Sequence, residues 1–335
     1  MKSYFENRKV IAIILLLLLL NIGTVILNVM LGDRSIPTGE VLKSLVGRES
    51  REYDFTIHQL RLPRVLTGFL AGCGLALAGT TLQSITRNPL ASPGVIGLNS
   101  GAAAAVVAIM VLVPSFPMKN MPWIAFGGAF LAASVIYLLS LRKGEMGSTI
   151  RMLLIGVGIS AMTGALITYL LTVGKIFRVS QASIWMAGSL YGRTWEHFWP
   201  LLPWVVILFL LLISLARVLD MFRLDVDSAT GLGLRVESMR LLFIMISVGL
   251  AGSAVSMVGT IGFVGLMAPH MAMHMAGHRS LARLPTAALL GGLIVMLADL
   301  AGRILFVPFE VPAGLITAII GAPYMIYLLL KRRSI

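Results

Sequence analysis

Acidic residues are scarce in this sequence: 14 Asp and Glu stand against 27 Lys and Arg, and only 12% of the 335 positions are charged. A soluble domain carries charge on about a quarter of its residues, so an ordinary water-facing surface is excluded. Cysteine occurs once, as Cys73. An internal disulfide is therefore impossible, and within its apolar run Cys73 reads as a small buried hydrophobe. The phosphate-binding pattern G-x-x-x-x-G-K-[ST] is missing. "VGKIF" at 173–177 offers Gly-Lys without the leading glycine or the following hydroxyl, so the chain does not bind ATP by that route. H-E-x-x-H is missing as well.

Acids are also nearly absent from the apolar stretches, where an ionisable group costs several kcal/mol and persists when it has a role. Asp299, in "MLADLAGRILF", is the one acid well inside such a stretch, and Arg303 stands at i+4, so an intrahelical ion pair accounts for it. That disfavours an ion-coupled secondary transporter. A pathway poor in charge suits a large neutral or chelated solute better than a bare ion, whose hydration shell would have to be replaced. A membrane enzyme is disfavoured too, because no nucleophile–base pair or metal constellation is visible. His270, His274 and His278 in "PHMAMHMAGH" fall on one helical face. With no carboxylate or thiolate beside them, packing and lipid-headgroup contact fit better than a metal site.

What the sequence has instead is oil. Fifty-eight per cent of residues are hydrophobic and the mean hydropathy is +0.92. A hydrocarbon core about 30 Å thick is crossed by about 20 apolar residues in a helix, and backbone polar groups in lipid must be satisfied within the element. Apolar runs separated by charged or Pro/Gly-rich breaks predict ten spans: 10–31, 60–80, 93–113, 121–141, 150–173, 199–219, 240–260, 262–277, 284–305 and 312–330. The eighth is short and contains Pro269. The first, about 22 residues long, exceeds a signal-peptide core and lacks a small-residue cleavage site, so it reads as a retained span. Placing the N-terminus in the cytoplasm puts 16 of the 27 basic residues inside. The basic residues lie in turns and form no stripe with interleaved aromatics, which argues against nucleic acid.

Two segments echo each other. "GLALAGTTLQSITRNPLASPGVIGL" (74–98) and "GLAGSAVSMVGTIGFVGLMAPH" (249–270) share a glycine-rich span and a break into a short one. They lie five spans apart, an odd offset that inverts the second copy, as in many transporters. The expectation is one transmembrane domain over 1–335 with inverted repeats at 60–173 and 240–330. Between the halves lies a polar island, "DVDSATGLGLRVESMR" (225–240), flanked by long apolar runs and hence a loop at a membrane surface.

The stretch "RLPRVLTGFLAGCGLALAGTTLQSITRNPLASPGVIGLNSGAA" (61–103), with "LLIGVGISAM" (153–162), "GTIGFVGLMAPHMAMHMAGHR" (259–279) and "ADLAGRILFVPFEVPAGLITAIIGAPYMIYLLLKR" (298–332), resembles the FecCD family of ABC importer permeases. The resemblance covers nearly the whole chain. It implies an all-α integral membrane fold of about ten transmembrane helices, of the type II ABC importer permease kind, in a bacterial cytoplasmic membrane. It also implies import of iron–siderophore complexes, with haem or cobalamin as alternatives, no covalent chemistry and no cofactor. Three partners follow: an ABC ATPase subunit, an extracytoplasmic substrate-binding protein and a second permease, identical or related.

The resemblance assigns the polar island. In the family the loop after the sixth span forms two short helices that dock on the ATPase, so the 220–240 loop, with Asp227, Ser228, Gly231, Leu232, Gly233 and Arg235, is the expected coupling segment. Ser228 or Asp227 suits a helix start, Gly231 and Gly233 permit a sharp break, and Arg235 offers a bidentate donor. Arg61, Arg64 and Arg303 match positions that meet acidic residues of the binding protein. Ser148 and Thr149 match a polar gate at the inner mouth, with Ile150 where some relatives carry another hydroxyl. Thr163, Thr168 and Tyr169 either line the path or bond backbone carbonyls. Asn88 and Pro89 shape the turn after the second span.

Overall fold

In the computed structural model the described residues are 2–32, 35–46, 53–94, 97–141 and 149–332, and every regular element among them is a helix. In chain order the first are α1 (Lys2–Met30), α2 (Thr38–Leu45), α3 (Leu62–Thr86), entered through a π-helical turn at Thr56–Arg61, and α4 (Leu98–Leu112). Next come α5 (Met121–Ser140), α6 (Thr149–Val173), α7 (Ile176–Met186), α8 (Trp195–Ser214), α9 (Ala216–Met221) and α10 (Val226–Gly231). The chain closes with α11 (Val236–Val258), α12 (Val264–Ala276), α13 (Ser280–Ile304) and α14 (Ala313–Arg332).

Seven of these, α1, α3, α5, α6, α8, α11 and α13, are long and apolar enough to cross a membrane, and α4 and α14 are shorter apolar helices. Nine of the ten spans expected from hydropathy fall on one helix each, and the sixth, 199–219, runs through α8 into α9. Two contract: 93–113 becomes α4, and 262–277 becomes the 13-residue α12. The shortening of α12 has a visible cause. Residues 259–263 are held in irregular backbone against the end of α7, where the Thr260 hydroxyl donates to the Met186 carbonyl and the Ser189 N–H to the Val258 carbonyl at 2.9 Å. The short helices α2, α7 and α9 were not separated by the hydropathy reading.

Burial sorts the bundle into a centre and a periphery. The most apolar stretch of α3 is 89% buried and that of α11 83%, against 17% for α1, 11% for α6 and 17% for α8. The inner helices have their neighbours already; the outer ones face lipid or another chain. With no hydrophobic gain from joining helices inside lipid, close packing must come from small residues. A methyl group placed on Gly72 would sit 2.2 Å from the Gly291 carbonyl oxygen, and one on Gly79 would sit 1.9 Å from that of Gly265. The backbones of α3 with α13, and of α3 with α12, are therefore in direct contact. Buried hydroxyls in α3 are satisfied locally: Thr67, Thr80, Thr81 and Ser84 donate to the carbonyls of Pro63, Ala76, Leu77 and Thr80 at 2.6–2.9 Å. That back-bonding lets polar side chains enter an apolar core without a stranded donor.

Candidate functional site

The polar groups gather at the two ends of the antiparallel pair α3 and α13. At one end lies the loop containing α9 and α10. The side chain of Asp225 accepts the Ser228 N–H at 3.2 Å and so caps α10. The cap is therefore Asp225 and not Asp227 or Ser228, the two expected from the sequence, so the helix begins two residues earlier than the pattern predicts. Hydrogen bonds from the Ser228 side chain and backbone hold the Asp225 carboxyl below the usual carboxylate range. The two short helices are α9 and α10, and the break between them falls at 222–225, not at Gly231 and Gly233. Gly233, at φ +87°, turns the chain from α10 into α11, a conformation glycine adopts without steric penalty.

The sequence-selected residues Asp227, Ser228, Gly231, Leu232, Gly233 and Arg235 are all exposed. Leu232 is 66% exposed, an apolar tip on an otherwise polar turn, whereas Ala229 and Val236 are buried and fix the turn to the bundle. The base of the loop is clamped from two sides. Arg87, the left-handed residue that ends α3, donates from Nε to the Phe222 carbonyl at 2.7 Å and from a second nitrogen to the Leu224 carbonyl. Asp220 accepts the Ser280 N–H at 3.0 Å and its hydroxyl at 2.6 Å, at the start of α13. Sequence reasoning passed over Arg87 and Asp220, since their partners lie 135 and 60 residues away. In the adjoining turn the Asn88 side chain accepts the Leu90 N–H at 2.9 Å, the local turn expected of it.

The opposite end brings Arg61, Arg64 and Arg303 together. Arg64 makes a forked contact with Asp299, 2.8 Å from Nη2 to Oδ1 and 3.1 Å from Nε to Oδ2, and reaches Glu310 at 3.0 Å. Arg303 lies 3.4 Å from Asp299 as the i+4 spacing suggested. Its stronger bonds go elsewhere, to the Asn28 side chain at 2.7 Å and the Asn28 carbonyl at 3.2 Å. Arg61 donates to the Val29 and Met30 carbonyls at 2.7 and 3.0 Å, which are last-turn carbonyls of α1 without partners in their own helix. Arg303 is only 5% exposed, while Arg61 and Arg64 are half-buried.

Asp299 is thus the hub of a buried charge cluster, and removing one member of such a cluster strands its partners. Asp299→Ala is expected to cost about 3–5 kcal/mol, read as a fall in thermal unfolding temperature in detergent. Glu310→Gln, at a side chain 25% exposed, is expected to cost far less. Equal losses would mean that Asp299 is not the hub.

Of the path residues, Thr163 and Thr168 donate to the Ile159 and Gly164 carbonyls at 2.8 and 3.0 Å, so their hydroxyls are occupied by their own helix. Tyr169, on the same helix, is 64% exposed. Ser148 lies outside the described residues, as does the side chain of Thr149, the first residue of α6. On α12 the His270 ring meets the Tyr324 hydroxyl at 3.0 Å and stands 4.6 Å, centre to centre, from the His274 ring.

Comparison with known proteins gives this arrangement a context. Residues 15–331 match the FecCD transport family. The Bacillus subtilis protein YfhA, described as a probable siderophore transport system permease protein, is 42% identical over 98% of this chain and 97% of its own length. The Fe(3+) dicitrate transport system permease protein FecD of Escherichia coli is 35% identical over 96% of this chain and 99% of its own. A solved inward-facing structure assigned to the metal-chelate type of ABC transporter superposes with a TM-score of 0.85 at 29% identity, covering 96% of this chain and 99% of that one. An all-helical, multi-pass bundle matched from end to end in both sequence and fold leaves one conclusion: the chain is a membrane permease of the FecCD transport family.

Proposed function

We propose that this permease moves iron–siderophore complexes into a bacterial cytoplasm, driven by ATP hydrolysis on a separate subunit. The observation that carries the reading is the end-to-end identity, 42% and 35%, with permeases described for siderophore and for Fe(3+) dicitrate transport. The scarcity of acids in the apolar stretches, with Asp299 alone well inside one, supports it, because a chelate arrives with its metal already liganded and asks the protein for shape and weak contacts.

In this reading the ATPase docks on the 220–240 loop. What supports that is the exposure of all six residues named there, with Leu232 as an apolar anchor and Arg235 as a fork for a carboxylate. A substrate-binding protein would dock at the opposite end through Arg61 and Arg64, with Arg303 beneath them; three guanidinium groups against Asp299 and Glu310 leave that end net positive. Such charges steer encounter and set register more than they add affinity. The low burial of α6 supports a second permease against it, the substrate passing between the two copies beside Tyr169. Ser148 and Thr149 would form the gate at the inner mouth.

The test is uptake of radio-iron presented as several siderophore chelates, and of labelled haem and cobalamin, by cells with and without the chain. Loss of iron from one chelate is the expected result. Normal entry of every iron chelate with loss of haem or cobalamin would overturn the substrate and leave the fold intact.

A further inference from the structure

A cleft of about 650 Å³ opens where the start of α1, the end of α12 and the start of α13 converge. Lys9, His274, His278 and Arg279 stand in its wall, and none of the residues lining it is acidic. Among the described residues the side chains of Lys9, His278 and Arg279 form no hydrogen bond or ion pair with the rest of the chain. Gly277, at φ +80°, ends α12 and turns His278 and Arg279 toward the mouth. Lys9, His278 and Arg279 are exposed and, unlike Arg64 and Arg303, which meet Asp299, have no carboxylate among the residues that line the cleft, so the rim offers uncompensated cations to an outside anion.

The position says which anion. Lys9 is the second residue of the apolar stretch of α1, which begins at Arg8, and Arg279 directly precedes that of α13, which begins at Ser280. The cationic rim therefore lies at the boundary of the hydrocarbon core. Below the rim the wall turns apolar, with Ile11 57% and Leu281 49% exposed. A free phosphate would use only the rim. A phospholipid uses both: its phosphate meets the cations and an acyl chain lies along Ile11 and Leu281. We propose that this cleft binds the headgroup of an anionic phospholipid from the leaflet facing the 220–240 loop. Basic pockets between membrane helices suit such headgroups, and a lipid wedged there would hold α1 against α12 and α13.

Only the sidedness rests on the proposed function, through the assignment of the 220–240 loop to the cytoplasm. Iron uptake lost or kept says nothing about lipid binding by the isolated chain, so the two readings fail separately.

The experiment is native mass spectrometry of the full-length permease in detergent, titrated with phosphatidylglycerol, phosphatidylcholine or inorganic phosphate. Phosphatidylglycerol is expected to bind at one preferred site and to weaken by about thirty-fold in Lys9→Gln/Arg279→Gln, the loss of two surface cations. Equal binding of phosphatidylcholine would make the contact a non-selective lipid belt and overturn the proposal. So would equal occupancy by inorganic phosphate, which would indicate a free-anion site, or unchanged binding in the double variant. A photoactivatable phosphatidylglycerol on the unaltered chain gives a check independent of the variant's folding: crosslinks at Ile11 or Leu281 are expected, and crosslinks confined to other helices would overturn the site. Loss of those crosslinks in the assembled complex with the ATPase would assign the cleft to that subunit instead.

Discussion

Gly79→Leu is expected to eliminate folded permease, whereas Gly127→Leu is expected to leave it in place. At Gly79 the Cα–H points at the Gly265 carbonyl oxygen, which a methyl group there would approach to 1.9 Å. That carbonyl is special in its own helix, because its i+4 partner is Pro269, which has no N–H to give. The oxygen is left with the glycine Cα–H opposite it, a weak contact individually but one that needs the two backbones to touch. A side chain at 79 must therefore push backbone, not the far end of a flexible neighbour. Overpacking a tight core costs about 1–3 kcal/mol when side chains can shift, and more is expected where they cannot. The same crossing recurs at Gly72 and Gly291 along α3, so α3 has no direction in which to retreat. At Gly127 nothing lies within 4 Å of the added carbon, and the residue is exposed. Size-exclusion profiles of a fluorescent fusion in detergent measure both variants. Equal monodisperse peaks would mean that the α3–α12 contact is not tight in the membrane.

That crossing joins the two glycine-rich segments whose resemblance was visible in the sequence, since Gly79 belongs to the first and Gly265 to the second. Small residues in an apolar run are legible as a packing face, but which face meets which is not, because the partner lies far along the chain. The same limit governs the charges. The Asp299–Arg303 pair followed from i+4 spacing, yet the closer partner of Asp299 is Arg64, 235 residues away, and Asn28, not Asp299, takes the strongest bond of Arg303. Hydropathy located ten helices, since the thickness of hydrocarbon dictates run length. It overran α12, where backbone contacts with the end of α7 set the boundary and no composition signal marks them. In the polar island the residue types were legible and the register was not. Asp225, Asp227 and Ser228 are all good caps, and only the position of α10 selects Asp225.

Arg87→Ala, in the assembled importer, is expected to lower substrate uptake by about tenfold or more while ATP hydrolysis continues. The expectation rests on the proposed docking of the ATPase at the 220–240 loop and on the clamps at the base of that loop. Arg87 ties Phe222 and Leu224 to the end of α3, and Asp220 ties α9 to the start of α13. Helices α3 and α13 are each 25 residues long, rods of about 37 Å, and at the far end the two are joined again by Arg64 and Asp299. A push on α10 would reach that end as a movement of two rods held together at both ends, the kind of packed two-state element that coupling between distant sites requires. Without Arg87 the loop keeps its exposed docking residues and its Asp225 cap, so the ATPase still binds and turns over, but one clamp no longer transmits. Arg87 is also a non-glycine residue at φ +51°, so strain is a competing explanation of any effect. Arg87→Gly separates the two: it removes the side-chain bonds and relieves the backbone at once. Uptake as low in Arg87→Gly as in Arg87→Ala assigns the effect to the clamp. Uptake restored in Arg87→Gly assigns it to the backbone, and full uptake by Arg87→Ala at normal expression removes Arg87 from the coupling route altogether.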